Sequence, residues 1–492
     1  MKLFEKLFDS YPLYFRLLPL FFLFGGGLFT LLFPSLFGEQ ITSDHLDISH
    51  LAPPFWIFIS LGGVVILYQF LRGVPKRLQE GATLYEEGTV LFWGLGYANL
   101  LFGVVNSHLG ILICFILGAL LGSVRYFRSG EKGLFRPRLF LFATVAYVAY
   151  EALTLLWSDN LARSFFYWQK EAWIAIIPLL IGIAPPSADV ARRFMKYALQ
   201  ISYLYLLSQL LIYGWVCLSI ENPLWVAFSF DKGYFSLNGT SLSPGFMLSL
   251  MGFNHYTYIG FVFLAPILYF ISEHVFKGRE RGSLEIISLV SLAAISYSFI
   301  HQSRTLMLFY LFISLILIAK RQNSWGYKRV MGSVVVALLL IGGVVVYFYP
   351  DTLNFFIDTH RLHLLQIARN YLGTNLLNGY GLGSSEALIY PFFYGAEHSA
   401  HFHNQFIQSL LEGGLCSALL IIFILISYSI ESYRQRNGGA LLLILLFTLI
   451  MVIDLVVFLS EYLIAMLLLL SITLYALSPT TTQEKRAKQA SL

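Results

Sequence analysis

The chain is 492 residues long, 57% hydrophobic and 12% charged. A soluble protein of this size carries about twice that charged fraction, so the composition argues against a soluble domain, with or without one anchor. The net charge of +5 needs no nucleic-acid partner, because loops facing anionic lipid account for it.

The predicted class is an all-α polytopic membrane protein forming a single integral membrane domain over 1–492. Apolar runs able to cross about 30 Å of hydrocarbon fall near 15–35, 55–72, 88–106, 108–124, 139–157, 172–186, 197–219, 256–275, 284–301, 305–319, 330–349, 412–430, 439–458 and 462–478. The pair at 88–124 and the run at 172–186 are short or closely joined, so the expectation is 12–14 transmembrane helices. The first run follows Lys2 and Lys6 and has no small-residue cleavage site, which reads as a retained span. With the N-terminus in the cytoplasm and the runs alternating, 26 of the 32 lysines and arginines fall inside and six outside. That asymmetry sets the orientation, with both termini cytoplasmic.

The three cysteines, Cys114, Cys217 and Cys416, lie in or beside apolar runs without a CxxC partner, and read as small core residues. No internal repeat is evident, which weakens a transporter built from inverted halves.

Two outside segments are long, near 220–255 and 350–411, and long loops in compact proteins are often functional. The second carries Arg361, Arg369, His360, His363, His398, His401 and His403, five of the eleven histidines. Its stretch "RLHLLQIARNYLG" has helical periodicity. Arg361 and Arg369 are eight residues apart, just over two turns, so they could share one broad face. Arg304, in "HQSRTLM", lies between two runs at the outer boundary. It either snorkels or aims its planar fork at a phosphate. Earlier in the chain, "LWSDNLARSFFYW" offers Arg163 as an accessory diphosphate or acceptor contact beside Trp157 and Tyr167. "FNHYTYIGF" offers His255 and Tyr258. Interfacial aromatics of this kind are ordinary membrane belts.

The glycines of "NGYGLGSS", Gly379, Gly381 and Gly383, have a nucleotide-loop look. The stretch lacks the GK[ST] ending and a βαβ setting, so the glycines are expected to let the backbone turn or approach a ligand closely. "HSAHFHNQF" allows three readings. His401 and His403 form H-x-H, with Glu397, His398, His360 and His363 as further metal ligands, but H-x-H alone is weak. The histidines could instead be solvated loop residues. Or one could be a general base that deprotonates an acceptor hydroxyl at neutral pH. In that case Asn404 hydrogen-bonds substrate or fixes the ring tautomer.

"HNQFIQSLLEGGLCS" runs His403-Asn404, nine residues, Gly414, two residues, Ser417. This resembles the H-[NSQ]-x9-G-x-x-G signature of the bacterial O-antigen ligase and polymerase superfamily, with Ser417 at the second glycine. "SRTLMLFYLFISLILI" and "RLHLLQIARNYLGTNLLNGYGLG" resemble that domain's other two landmarks, so the signature region covers 303–417. The resemblance implies a GT-C-like lipid-carrier glycosyltransferase fold with a large periplasmic loop over 350–411. It implies an undecaprenyl-diphosphate-linked glycan donor, a periplasmic active site in the bacterial inner membrane, and no metal or other cofactor. His403 falls on the family's base, and Arg304 and Arg361 on its diphosphate-holding arginines. Arg369 is added from helical spacing. His401, Asn404, Gly381 and Gly383 are the accessory candidates.

The acceptor implied for a ligase is lipid A-core oligosaccharide; for a polymerase it is a second lipid-linked repeat unit. A rival of another class, a transporter or lipid flippase, needs ionisable groups at mid-membrane depth. Glu151 and Asp454 are the candidates there, each expected to be satisfied by a neighbouring tyrosine, serine or arginine.

Overall fold

The computed structural model describes residues 52–102, 108–128, 138–219, 236–237, 240–241, 256–271, 359–392, 401–453, 455 and 460–477. Arg304, His398, Asp454 and the runs at 15–35, 284–301, 305–319 and 330–349 lie outside them. The described apolar runs are helices, in which each segment satisfies its own backbone N–H and C=O groups. In chain order they are α1 (Ala52–Gln79), α2 (Leu84–Phe102), α3 (His108–Arg128), α4 (Leu139–Thr154), α5 (Leu161–Glu171), α6 (Trp173–Ile183), α7 (Ala188–Ser219), α8 (Tyr256–Ile271), α9 (Thr359–Leu372), α10 (Ser385–Ile389), α11 (Gln405–Glu412), α12 (Gly414–Arg434), α13 (Gly438–Ile453) and α14 (Ser460–Tyr475). One antiparallel pair, Ser236–Leu237 with Thr240–Ser241, is the only strand pairing among the described residues. The described chain is thus essentially all-α.

The helices divide between two compact units. The first holds α1, α7 from Lys196 onward and α8, and the second holds nearly all of the remaining helical structure. In the first unit, Gly62 of α1 lets α7 approach, since a Cβ there would meet Leu204 Cδ1 at 2.5 Å. The Phe70 and Tyr197 rings meet edge to face at 5.5 Å.

In the second unit α4 and α12 run antiparallel. At one end the Glu431 carboxylate of α12 accepts from the Phe140 N–H at 2.9 Å. That bond satisfies a backbone donor that the start of α4 leaves open. The Arg138 guanidinium lies 4.1 Å from the Tyr475 ring centroid at this end. At the other end the Ser417 hydroxyl of α12 donates to Glu151 of α4. Between them Phe140 and Tyr428 meet edge to face at 5.0 Å, and the Tyr428 hydroxyl donates to the Leu470 carbonyl of α14 at 2.9 Å. Hydroxyls inside the bundle bond back along their own helices, as Ser432 does to the Tyr428 carbonyl at 2.8 Å and Thr473 to the Leu469 carbonyl at 2.7 Å. Buried hydroxyls need a partner, and the helix's own carbonyls are within reach.

Two described helical stretches are long and apolar enough to cross a membrane, Leu139–Trp157 with 19 residues and Gly414–Arg434 with 21, each about 30 Å long. Helix α4 turns Phe142, Val145 and Leu153 outward, at 65%, 41% and 54% exposure. A helix apolar on its outer as well as its inner face suits lipid better than water. The run expected at 172–186 is shorter than a span: α6 has 11 residues, about 16 Å, because Pro185 and Pro186 close it and disfavour helix at the residue before them. Helices α13 and α14 have 16 residues each.

Candidate functional site

The sequence signature folds at the Glu151–Ser417 end of the α4–α12 pair. Helix α11 begins where Asn404 caps it: the side-chain Oδ1 accepts from the Ile407 N–H at 3.0 Å. The other end of the same amide donates from Nδ2 to the Val452 carbonyl at 2.7 Å. Asn404 therefore bonds backbone with both ends, as a cap and a tie to α13. Ahead of the cap, Phe402 is buried against Leu364, Ile367 and Ala368 of α9 and Leu411 of α11. With Phe402 anchored inward, His401 and His403 on either side are left half-exposed, their ring centroids 4.2 Å apart. His403 has φ of 49°. The left-handed region is uncommon for a residue with a Cβ and costs about 1–2 kcal/mol.

The periodicity predicted from "RLHLLQIARNYLG" is realised as α9, whose Leu364, Ile367 and Ala368 form its buried stripe. Arg361 and Arg369 are separated by about 80° around the axis at 100° per residue. Arg361 flanks the buried stripe and is half-buried, whereas Arg369 points outward and is exposed.

The glycine stretch docks on the junction of α11 and α12. The Leu415 N–H donates to the Leu376 carbonyl at 2.9 Å, the Tyr380 N–H to Leu411 at 2.8 Å and the Gly381 N–H to Glu412 at 2.8 Å. Two of these bonds take up carbonyls that the end of α11 would otherwise leave open. Gly379, Gly381, Gly383 and Gly414 have φ of 67°, 88°, 79° and 73°, where glycine alone is comfortable. The expected close approach is real, but to protein. A Cβ at Gly379 would strike the Glu412 carbonyl, one at Gly414 the Leu377 carbonyl, and one at Gly381 would lie 2.6 Å from Ser158 Cα.

The turn between α4 and α5 forms the other wall. The Trp157 Nε1–H donates to the Asn378 carbonyl at 3.1 Å, and Ser158 and Ser164 both donate to the Leu382 carbonyl. Arg163, expected as an accessory contact for a ligand, forms an ion pair with Glu386 of α10 and lies 5.8 Å from the Tyr167 ring. Its guanidinium fastens α5 to the glycine stretch.

Beneath these loops lies a feature that the sequence did not disclose. Glu151, Glu171 and Glu412, from α4, α5 and α11, are only 1%, 5% and 4% exposed. Glu412 accepts from the Ser385 N–H at 3.2 Å, from the Ser385 hydroxyl, and from Gln408 Nε2 at 2.7 Å, which fixes the start of α10. Burial pushes the Glu412 carboxyl up from its ordinary value, against the pull of those hydrogen bonds. Burial, and then Glu151 and Glu412 nearby, push Glu171 well above the ordinary range. Glu151 receives the Ser417 hydroxyl, so its expected neighbour is a serine, and the serine standing at the second glycine of the signature has a hydrogen bond to make. Tyr150 donates to the Gly413 carbonyl at 2.8 Å, adding α4 to the same junction.

Among the described residues no group of three or more His, Cys, Asp or Glu side chains is arranged to hold a metal ion. The site is thus a half-exposed histidine pair, a half-buried arginine on the helix packed beside it, and a glycine-lined turn held on a buried acidic floor. No protein-family model matches the chain, and no curated protein matches it.

Proposed function

We propose that the chain is a multi-pass glycosyltransferase of the bacterial inner membrane, with both termini cytoplasmic and its active site on the periplasmic face. It acts as an O-antigen ligase, moving a glycan from undecaprenyl diphosphate to a hydroxyl of lipid A-core oligosaccharide. The observation that carries this reading is that the arginine helix α9, the glycine stretch and the His403–Asn404 start of α11 pack together at one end of two span-length helices. Arg138 and Arg434 belong to the opposite end, where Glu431 meets the start of α4, in keeping with a cytoplasmic face there.

In the proposed step His403 takes the proton of the acceptor hydroxyl as its oxygen attacks the anomeric carbon. The bond from that carbon to the diphosphate oxygen breaks in the same displacement, inverting the centre. The lipid diphosphate leaves with one more negative charge, which Arg304 and Arg361, with Arg369 further out, neutralise where it develops. The donor is already activated, so no nucleotide or metal is needed. The left-handed His403 supports this, since strained backbone concentrates where function holds it. A transporter is less well supported. Glu151 accepts the hydroxyl of Ser417, in the first turn of α12, which accounts for it as a structural group.

The test is transfer by the purified chain in nanodiscs from a defined undecaprenyl-diphosphate-linked glycan to lipid A-core, with and without chelator. Transfer that survives chelator and disappears with His403→Ala is expected; no transfer, or a fully active His403→Ala, sinks the reading. Replacing the core acceptor with a second lipid-linked repeat tests the polymerase alternative in the same vessel.

A further inference from the structure

Helix α5 has its polarity reversed. The residues it buries are Ser164, at 0% exposure, and Glu171, at 5%, while Leu161, Phe165 and Phe166 stand outward at 63%, 46% and 53%. At 100° per residue these three residues, with Ala162 and Gln169, form one face. The opposite face carries Ser164 and Glu171 toward the acidic floor. In water such a helix would turn over; an outward apolar face of this kind marks an interaction surface.

Two observations say what covers it. The first is continuity. The apolar outer face of α4, with Phe142, Val145 and Leu153, runs through Leu156, 82% exposed, and Trp157 into the outward face of α5. Helix α6 then begins directly, since Ala172 both ends α5 and precedes α6. Helices α4 and α6 pack side by side, and α5 joins the end of one to the start of the other, its Trp168 Nε1–H donating to the Val148 carbonyl of α4 at 3.1 Å. The second is the fringe. The Lys170 ammonium lies 4.5 Å from the Phe166 ring centroid and 5.6 Å from that of Tyr167, on the flank between the two faces. Aromatic rings edged by a lysine are what the boundary between lipid tails and headgroups favours.

We propose that α5 is an interfacial helix whose Leu161–Phe165–Phe166 face is seated among the lipids at the headgroup–acyl boundary. This rests on the reading of α4 as a membrane span. Through the Arg163–Glu386 pair and the Ser158 and Ser164 bonds to Leu382, seating α5 also sets the height of the glycine stretch above the bilayer. Amphipathic helices of this type sink about 5–10 Å into the boundary.

The experiment places single nitroxide labels in the full chain, freed of Cys114, Cys217 and Cys416, in nanodiscs of phosphatidylethanolamine and phosphatidylglycerol. Labels at Leu161→Cys, Phe165→Cys and Phe166→Cys should show a ratio of oxygen to water-soluble relaxant accessibility several-fold above that at Asp159→Cys and Asn160→Cys. Labels at Phe142→Cys and Val145→Cys report on the α4 span itself. If those two favour oxygen while 165 and 166 favour the aqueous relaxant, the span stands and the interfacial helix falls. Labels at 165 and 166 shielded from both relaxants would mean that protein covers the face, which also overturns the proposal. If 142 and 145 are aqueous, the span and the proposal fall together. Footprinting the unsubstituted protein with a bilayer-confined diazirine and with a water-soluble one tests the same point without labels: the 156–166 peptide should be modified mainly by the first, and modification mainly by the second overturns the proposal.

Discussion

Replacing His403 with glycine should separate catalysis from stability. At φ of 49° the backbone of a residue with a Cβ is strained by about 1–2 kcal/mol, and glycine removes that strain. Against this, glycine adds freedom to the unfolded chain worth about 0.5–1 kcal/mol. The His403 ring is half-exposed and the buried anchor next to it is Phe402, so truncation should cost well under the roughly 1.5–3 kcal/mol of a fully buried side chain. These terms nearly cancel, which puts His403→Gly within about 1 kcal/mol of the parent, a shift of about 2 °C or less in a chain of this size. His403→Val should be clearly less stable than either, because a β-branched residue is the least tolerant of positive φ. Thermal unfolding in detergent, followed by tryptophan fluorescence and size exclusion, measures the first quantity; transfer from the lipid-linked donor measures the second. Glycine, valine and alanine at this position should all abolish transfer. An active His403→Gly would refute the base assignment, and a Gly variant that unfolds many degrees early would make His403 a structural residue instead.

The glycine junction gives a second, internally controlled series. Gly414→Ala combines a φ of 73° with a Cβ driven into the Leu377 carbonyl, which should destabilise by about 2–4 kcal/mol. Gly81→Ala has only the φ penalty, and Gly438→Ala neither φ nor neighbour, so unfolding midpoints should rank in that order. The acidic floor predicts a pH dependence. Glu171 and Glu412 hold their protons more tightly folded than unfolded, so stability should be fullest below the ordinary carboxylate range and fall as pH rises through it toward their raised folded values. Glu171→Gln should flatten that slope and stabilise the chain at high pH, and an unchanged slope across an unfolding–pH series would count against the floor. The Arg163–Glu386 pair, with side chains 30% and 43% exposed, should show a coupling of about 0.5–1 kcal/mol in a double-mutant cycle of alanine variants. Coupling indistinguishable from zero would remove it as the fastening of the glycine stretch.

Local signals were readable in the sequence where the physics is local. The 3.6-residue stripe of Leu364, Ile367 and Ala368 announced α9, whereas Asn404, expected to hydrogen-bond substrate or fix a ring tautomer, caps α11, a role that an asparagine before an apolar run can signal. Unusual backbone at Gly379, Gly381 and Gly383 was also foreseeable, but its purpose was not. Their neighbours Glu412, Ser158 and Tyr167 come from other parts of the chain, and no periodicity reports a contact between distant segments. The acidic floor stayed hidden for the same reason. Ser417 and Glu151 are 266 residues apart, and glutamate in an apolar run gives no hint of which serine it will meet. Hydropathy read α6 as longer than it is, because a window average passes over the pair Pro185–Pro186, whereas the backbone stops there.

The capped helix α11 works as a spacer of fixed length and fixed phase. Eight residues of α-helix measure about 12 Å, and both ends are clamped, by Asn404 on Val452 and, past the other end, by the Gly413 carbonyl on Tyr150 and the Leu415 N–H on Leu376. The nine residues between Asn404 and Gly414 thus define an angle as well as a distance. One residue more or fewer would swing the His403 end through about 100° around the helix axis, away from α9 and its arginines. A substitution inside that stretch alters packing at one position, but a change in its length would re-aim the histidine.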